Sequence, residues 1–171
     1  MNTALVESVP ARQLHDQIRA LGVSHVLTVP DTHQKSLIAS LMTDRDLKLI
    51  TLSTEDEAIC VNAGLWMGGA EALILIQNVG LFAAMNSLRG VAMDMRVPTC
   101  LLVGQYARDV TKPVAENRAS AVRLIESVMG SIDVPCYAID GPGDVPLLAE
   151  AFNESRERRG PVVVLVSAPT A

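Results

Sequence analysis

The stretch "LKLITLSTEDEAICVNAGLWMGGAEALILI" (residues 47–76) predicts a β-strand, an α-helix and a second β-strand in succession. The two strands cover residues 47–52 and 72–76, and the helix covers residues 55–68. Strands that are apolar on both faces are typical of a parallel sheet covered by helices on both sides. The stretch is therefore a building block of an α/β domain.

The rest of the chain alternates in the same way. Further strands are predicted at residues 25–29, 99–104, 136–139 and 161–167, and further helices at residues 11–21, 34–42, 81–95, 119–129 and 144–158. Six strands with helices between them predict a doubly wound, mostly parallel α/β sheet with helices on both faces. We expect a single domain over residues 1–171, because no linker or low-complexity stretch interrupts the pattern.

Composition narrows the class of protein. Hydrophobic residues make up 49% of the chain, which is enough for a core without disulfides or metals. The net charge of −5 and the lack of a basic cluster disfavour nucleic-acid binding. No apolar run approaches the ~20 residues of a membrane span, and residues 1–13 lack the features of a signal peptide. We expect a soluble, cytoplasmic protein in which Cys60, Cys100 and Cys136 are small buried hydrophobes.

In doubly wound sheets, ligands bind beyond the carboxyl ends of the strands. Four segments follow strand ends here: residues 30–34, 53–57, 77–82 and 105–118. None carries the glycine-rich phosphate loops of nucleotide-binding domains, which places a nucleotide-binding function third among the alternatives. Any chemistry of this chain is expected in these four segments.

The acids of "STEDE" (residues 53–57) allow two interpretations. In the first, Ser53 or Thr54 caps the following helix, and Thr54 with Glu57 forms a capping box. In the second, one carboxylate points into the crevice beyond the strands, where desolvation raises its pKa. The pattern alone does not decide between them.

The segment "VPDTHQKSL" (residues 29–37) also has two interpretations. Asp31 or Thr32 is placed to cap the next helix. His33 is the only histidine beyond a strand end, since His15 lies within a helix and His25 opens a strand. It is either a solvated residue at a helix start or an acid or base that faces the substrate.

The remaining two segments are polar. Gln77 and Asn78 either line a ligand pocket or belong to a turn, for which Gly80 provides conformational freedom. The long segment 105–118 contains cations that either meet an anionic substrate or are solvated. These cations are Arg108, Lys112 and Arg118.

Together these motifs resemble the pyrimidine-binding domain of thiamine-diphosphate-dependent enzymes, over roughly residues 10–167. Sulfopyruvate decarboxylase α subunits and phosphonopyruvate decarboxylases are the most similar members. The motifs are Glu55 with Ala58, Ala63 and Gly64, then Val29-Pro30-Asp31-Thr32, Gln77-Asn78-Val79-Gly80 with Asn86, and Asn117-Arg118-Ala119-Ser120. Val79 replaces a serine of the family and Phe82-Ala83 replaces Gly-Asn, so the site is more apolar, and sulfopyruvate and phosphonopyruvate themselves are not implied.

The resemblance implies roles for individual residues. Glu55 would hydrogen-bond the aminopyrimidine of thiamine diphosphate and activate the cofactor, in a decarboxylase of a small 2-oxo acid. The other residues implied to bind the cofactor are Gln77, Asn78, Gly80 and Phe82. The residues implied to face the substrate are Asp31, Thr32, His33 and Arg118, with His33 as a second catalytic residue.

The resemblance also implies a partner. This chain lacks the Gly-Asp-Gly motif with a downstream Asn that binds the diphosphate and Mg²⁺, and no metal ligand is assigned to it. We therefore expect a separate β subunit that carries this motif, in an assembly of at least α2β2. The alternatives are a carboligase or lyase subunit with the same cofactor, and a non-catalytic α/β binding module.

Overall fold

The computed structural model describes residues 8–171. Residues 1–7, which belong to the segment for which no signal peptide is expected, lie outside the described residues. The strands are β1 (His25–Thr28), β2 (Lys48–Thr51), β3 (Ala72–Gln77), β4 (Thr99–Gly104), β5 (Cys136–Ile139) and β6 (Pro161–Val166). The α-helices are α1 (Ala11–Ala20), α2 (Lys35–Leu41), α3 (Glu55–Met67), α4 (Asn78–Ala83), α5 (Met85–Ser87), α6 (Ser120–Ser131) and α7 (Leu147–Arg158).

The six strands form one sheet in the order β2-β1-β3-β4-β6-β5. Every neighbouring pair is parallel, so the sheet is entirely rather than mostly parallel. The predicted doubly wound fold is confirmed. Because all strands run the same way, all of their carboxyl ends lie at one edge of the sheet.

Helices cover both faces of this sheet. Helix α1 packs against α2 and α7 on one face, and α3 packs against α4 and α5 on the other. A hydrophobic core lies on each face of the sheet, and the central strand β3 contributes to both. Leu73 and Leu75 point into the core under α1, and Ile74 and Ile76 point into the core under α3. This alternation follows from the two-residue period of a β-strand.

The segment after β3 differs from the prediction. We expected a glycine turn and a helix over residues 81–95, but α4 begins at Asn78, directly after the strand. Gln77 takes an extended conformation before the helix, and the Asn78 Oδ1 atom accepts a hydrogen bond from the Val79 backbone at 2.9 Å. Gly80 lies inside the first turn of α4 without a positive φ, so conformational freedom is not its role.

The same helical segment ends in an irregular way. After α4 and α5, residues Leu88–Met93 form a π-helix. Its wider turn is seen in the hydrogen bond that the Asp94 backbone amide donates to the Arg89 carbonyl oxygen, five residues earlier, at 3.0 Å. This π-helix lies against α3, on the side of the sheet that carries Glu55.

Two smaller expectations also need correction. Helix α7 begins at Leu147 rather than residue 144, because a 3₁₀ turn over Pro142–Asp144 precedes it. Only Cys100 is fully buried among the cysteines, and burial raises the pKa of its thiol to about 12. Cys60 is exposed, because it lies on the outward face of α3.

Within residues 8–171, no helix has the length and apolar character that crossing a membrane requires.

Candidate functional site

The parallel sheet brings the four predicted segments to one edge. Residues 30–34 follow β1, residues 53–57 follow β2, residues 77–82 begin at the end of β3, and residues 105–118 follow β4. We call the space that they border the strand-end crevice. Strands β2, β1, β3 and β4 are consecutive in the sheet, so these segments are also neighbours.

Glu55 opens α3 and lies directly against α4. A methyl group added at Gly80 would clash with the Oε1, Cδ and Cγ atoms of Glu55. Gly80 is itself buried and Glu55 is half-buried. Among residues 8–171, no side chain or backbone group bonds to the Glu55 carboxylate. The missing side chain of Gly80 therefore creates the space in which this carboxylate sits.

The two neighbouring acids have other partners. The Glu57 Oε2 atom accepts a hydrogen bond from the Ser53 backbone at 2.9 Å. The Thr54 hydroxyl donates to Asp56, which holds the pKa of that carboxyl below its usual value. The predicted capping box is thus wrong, because the Thr54 side chain bonds to Asp56 and does not cap the helix. Glu55 is the acid of this turn that contacts α4.

Asp31 joins the ends of β1 and β3. Its side chain is nearly inaccessible, with 4% exposed. Its Oδ1 atom accepts hydrogen bonds from the His33 backbone at 2.7 Å and from the Gln77 side chain at 2.6 Å. Its Oδ2 atom accepts one from Gln34 at 3.2 Å. Asp31 therefore closes a turn before α2 and does not cap that helix, and Thr32 beside it is exposed.

His33 is buried, so the solvated alternative is wrong. Its Nε2 atom lies 3.0 Å from the Val166 carbonyl oxygen and must donate, because a carbonyl only accepts. Burial lowers the pKa of the imidazole, and the nearby Asp31 carboxylate opposes this effect. The neutral ring donates through Nε2, so Nδ1 is the nitrogen that takes up a proton when the ring becomes charged.

The burial of His33 predicts a pH dependence of folding. The pKa is lower in the folded than in the unfolded chain, so His33 stabilises the fold above about pH 6.5 and destabilises it as the pH falls below that value. We expect His33→Gln to lose less stability than the wild type between about pH 8 and about pH 5, measured by urea unfolding. His25→Gln is a second test of the same effect, because burial also lowers the pKa of His25 and its removal should reduce the loss of stability in the same direction. Equal pH slopes for the wild type and His33→Gln would contradict the prediction.

Gly104, at the end of β4, makes room for Asp31 and His33. A methyl group at this position would lie 2.7 Å from the Asp31 Oδ2 atom and 3.0 Å from the His33 Cδ2 atom. Both side chains are buried and hydrogen-bonded, so neither moves away freely. We expect Gly104→Ala to destabilise the fold by about 1–3 kcal/mol, measured by thermal unfolding. Gly141→Ala is the control, since Gly141 is extended with open space around it, and equal melting temperatures for the two variants would refute the argument.

The predicted amides have different surroundings. Asn78 is fully buried, and its Nδ2 atom donates to the Tyr106 carbonyl at 3.2 Å. It thus joins α4 to the loop after β4, and any contact with a cofactor stays a prediction. Gln77 is half-buried and uses its amide nitrogen on Asp31, so its Oε1 atom is the free end of the side chain. Phe82 is half-buried and packs on the core beneath α3 and α4.

Of the three predicted cations, two are used within their own loop. Arg108 donates to the backbone oxygens of Asp109 and Lys112, and Lys112 forms an ion pair with Asp109 at 2.8 Å. Arg118 is exposed, and its guanidinium bonds to no group within residues 8–171. Asn117 beside it is buried and accepts a hydrogen bond from the Asp109 backbone at 2.6 Å. This leaves Arg118 as the cation available to an external anion.

Two site residues were missed by the sequence analysis. Gln34 is fully buried beneath Asp31, and its Oε1 atom has no hydrogen-bond partner among residues 8–171. Gly104 was placed within a strand without a role. The available signals were a polar residue just before an apolar helix, and a glycine that ends an apolar strand. In the same described range, no three His, Cys, Asp or Glu side chains are grouped so that they could hold a metal ion.

Comparison with known proteins supports the resemblance. No family model matches the chain. The chain is 24% identical to the α subunit of sulfopyruvate decarboxylase from Methanococcus maripaludis, over 86% of this chain and 87% of that subunit. The chain resembles this α subunit. It is also 33% identical to phosphonopyruvate decarboxylase from Streptomyces hygroscopicus, over 50% of this chain and 21% of that protein.

Two solved structures share the fold of this chain. Benzoylformate decarboxylase from Polynucleobacter necessarius superposes with a TM-score of 0.71 at 20% identity, over 93% of this chain and 30% of that enzyme. An enzyme from Mycobacterium smegmatis, provisionally assigned as thiamin-diphosphate-dependent, superposes with a TM-score of 0.67 at 21% identity. The match covers 96% of this chain and 32% of that enzyme. The predicted doubly wound α/β fold is therefore shared with these two solved structures.

Proposed function

We propose that this chain is the pyrimidine-binding α subunit of a two-chain, thiamine-diphosphate-dependent decarboxylase of a small 2-oxo acid. The observation that carries the proposal is the position of Glu55. Its half-buried carboxylate lies against Gly80 at the carboxyl edge of the sheet, and no described group bonds to it. A carboxylate with free oxygens in a partly desolvated position is suited to sharing a proton with a ring nitrogen.

The residues present fit an aminopyrimidine ring. Gly80 leaves the space that the Glu55 carboxylate occupies, and the oxygens of that carboxylate bond to no group within residues 8–171, so they are available to a ring nitrogen. Thiamine diphosphate supplies the electron sink for decarboxylation when it is bound. Glu55 would hold the proton at its carboxylate. The free Oε1 atom of Gln77 and the ring of Phe82 would contact the cofactor. Asn78 would hold the Tyr106 backbone beside them through its hydrogen bond.

The substrate residues divide into exposed and buried groups. Arg118 and Thr32 are exposed, and we assign the anionic group of the 2-oxo acid to Arg118. Asp31 and His33 are buried within this chain. In this proposal Asp31 orients Gln77 through their 2.6 Å hydrogen bond, and His33 Nδ1 is the atom that exchanges a proton.

A separate β subunit would complete the site with the groups that bind the diphosphate and Mg²⁺. The match covers 87% of the sulfopyruvate decarboxylase α subunit but only 21% of phosphonopyruvate decarboxylase and 30% of benzoylformate decarboxylase. The match thus spans most of that α subunit and only a part of the other two enzymes. The apolar side chain of Val79, next to Gly80, is 50% exposed and suits a face that another subunit covers. We propose an assembly of at least α2β2 in the cytoplasm.

Reconstitution tests the proposal. The chain is co-produced with the product of a neighbouring reading frame that carries Gly-Asp-Gly and a downstream Asn. Carbon dioxide release is then measured from pyruvate, sulfopyruvate and phosphonopyruvate, with thiamine diphosphate and Mg²⁺ present. We expect release only when both chains are present. No complex and no release would favour a non-catalytic binding module, and carbon–carbon bond formation with an added aldehyde would favour a carboligase.

A further inference from the structure

A serine, a histidine and an aspartate are joined by hydrogen bonds between α1 and α2. Ser40 lies in the last turn of α2, His15 lies in α1, and Asp44 lies in the loop between α2 and β2. The Ser40 Oγ atom lies 2.6 Å from the His15 Nδ1 atom, and the His15 Nε2 atom lies 2.7 Å from the Asp44 Oδ2 atom. We call these three residues the Ser-His-Asp cluster. Because the loop before β2 lies at the amino edge of the sheet, the cluster lies on the opposite edge from the strand-end crevice.

The hydrogen bonds of the imidazole decide which of its nitrogens carries the proton. Asp44 is ionised at neutral pH, because hydrogen bonds, above all the one from His15, lower the pKa of its carboxyl to about 2. An ionised carboxylate only accepts hydrogen bonds, so the His15 Nε2 atom must donate. In the neutral ring Nδ1 is then an acceptor, and the Ser40 hydroxyl donates to it. Ser40 thus points its proton at a base, as an activated nucleophile requires.

Asp44 is fixed well enough to orient the imidazole. Its side chain is 1% exposed. Its Oδ1 atom accepts hydrogen bonds from the backbone amides of Asp46 at 2.8 Å and Leu47 at 3.3 Å. Its Oδ2 atom accepts one from Arg19 at 3.3 Å in addition to the one from His15. The carboxylate therefore holds the ring in one tautomer and stabilises the imidazolium that forms when Nδ1 takes a proton, with the two ring nitrogens exchanged relative to serine proteases.

The Ser40 hydroxyl is bonded differently from the hydroxyls of other helical serines. Ser127, Ser131 and Ser155 each donate to the backbone carbonyl three residues earlier, a local bond that is typical of serines in helices. Ser40 bonds instead to His15, 25 residues away in the chain. Both Ser40 and His15 are half-buried rather than buried. The hydroxyl is therefore engaged by a base while part of the cluster stays open to solvent.

The backbone near Ser40 limits the class of reaction. The amides of Met42, Thr43 and Asp44 already donate to backbone carbonyl oxygens, at 2.9, 3.2 and 3.1 Å. These three amides are thus not available to stabilise a negative charge that develops on a substrate oxygen, which is a large part of catalysis in hydrolases. A nucleophile without this help reacts with acyl groups that carry a good leaving group, such as aryl esters.

We propose that Ser40 is a covalent acylation site that takes an acyl group from an activated ester, with His15 as its base. The Ser40 Oγ atom forms a bond to the acyl carbon, and the Ser40 proton passes to the His15 Nδ1 atom. The bond between the acyl carbon and the leaving oxygen breaks, and its electron pair stays on that oxygen. His15 then gives its proton to the leaving group or to water. Asp44 is a positioning residue, and the site is independent of the decarboxylase function.

Reaction of the full chain with p-nitrophenyl acetate at about pH 8 tests the proposal. The reaction is stopped with acid, and the acetyl group is located and quantified by mass spectrometry of peptides. We expect acetyl on Ser40, formed about 100-fold more slowly in His15→Gln, since a positioned base contributes at least this much. Ser36 is the matched internal control, because it lies one turn earlier in α2, is half-buried and has a hydroxyl that no described group contacts through a hydrogen bond. It should react about 100-fold more slowly than Ser40.

Asp44→Asn tests the positioning role. Asparagine has nearly the same shape, but its amide nitrogen donates to His15 Nε2 and so favours the other tautomer. We expect acetylation of Ser40 to fall about 100-fold or more, for the same reason that the wrong tautomer slows a serine protease. Proton–nitrogen NMR of the imidazole should show the proton on Nε2 in the wild type and on Nδ1 in the variant, which a merely structural role of Asp44 would not produce.

Three results would overturn the proposal. The first is acetylation of Ser40 no faster than that of Ser36, and the second is undiminished acetylation in a folded His15→Gln. The third is a wild-type NMR spectrum at about pH 8 in which the His15 Nδ1 atom carries a proton. This third measurement needs no variant, so it decides the matter even if His15→Gln fails to fold. Each of these results would mean that the Ser-His-Asp cluster only joins α1 to α2.

Discussion

Glu55→Gln is expected to lower the turnover of the reconstituted enzyme by about 10²- to 10⁴-fold, the usual contribution of a proton-transferring side chain. Glutamine has nearly the same shape as glutamate but does not exchange a proton at this position. The melting temperature should not change, because no described group bonds to the Glu55 carboxylate. The measurement is the steady-state kcat at saturating cofactor and 2-oxo acid, with a thermal melt of each variant.

Glu57→Gln is the matched control, two residues further along α3 and about 200° around the helix. Glu57 accepts a hydrogen bond from the Ser53 backbone, and the oxygen of glutamine still accepts it. This variant should therefore keep both its turnover and its stability. Near-normal turnover in Glu55→Gln would refute the role of Glu55, and equal losses in both variants would point to a general effect of charge at the start of α3.

Gly80→Ala is expected to reduce turnover by about 100-fold and to leave the fold as stable or more stable. The added methyl group would displace the Glu55 side chain, and misplacing a catalytic group by about 1 Å costs this much. The clash involves a side chain rather than backbone, so Glu55 relieves it by moving. Alanine within a helix also gains about 1 kcal/mol over glycine. Activity and stability should thus change in opposite directions, as shown by kcat and thermal unfolding.

Two controls separate this effect from the general effect of replacing a helical glycine by alanine. Gly130 lies in α6 with open space around it, so Gly130→Ala should gain stability without losing turnover. If Gly80 acts through Glu55, the double variant Gly80→Ala/Glu55→Gln should be no slower than Glu55→Gln alone. Additive losses would mean that Gly80 contacts the cofactor or the partner chain by itself.

The architecture was predictable because its signals are local. Apolar runs such as residues 72–76 identify buried parallel strands without knowledge of their neighbours. The error after β3 shows the limit of this reasoning. Gly80 is a common turn residue, and only its contact with Glu55 shows that the missing side chain, rather than the backbone, is what the fold uses. The capping box failed for a similar reason, since Thr54 has a competing partner in Asp56.

The candidate site was predictable in part. Its four segments were correctly placed at strand ends, since the parallel sheet has one carboxyl edge. Their individual environments were not predictable. Asp31 accepts a hydrogen bond from Gln77, 46 residues away in the chain, and His33 donates one to Val166, 133 residues away. No local sequence pattern around His33 indicates that this residue is buried against β6, which comes near the end of the chain.

The sequence by itself therefore determined the type of sheet, the edge where chemistry is expected and the residues that reach that edge. The tertiary structure alone decided which of these residues touch. Strand periodicity depends on neighbours along the chain, whereas the order β2-β1-β3-β4-β6-β5 depends on how all helices pack. That order places β1 between β2 and β3, and it brings Asp31 to Gln77, Gly104 beneath His33, and Gly80 to Glu55.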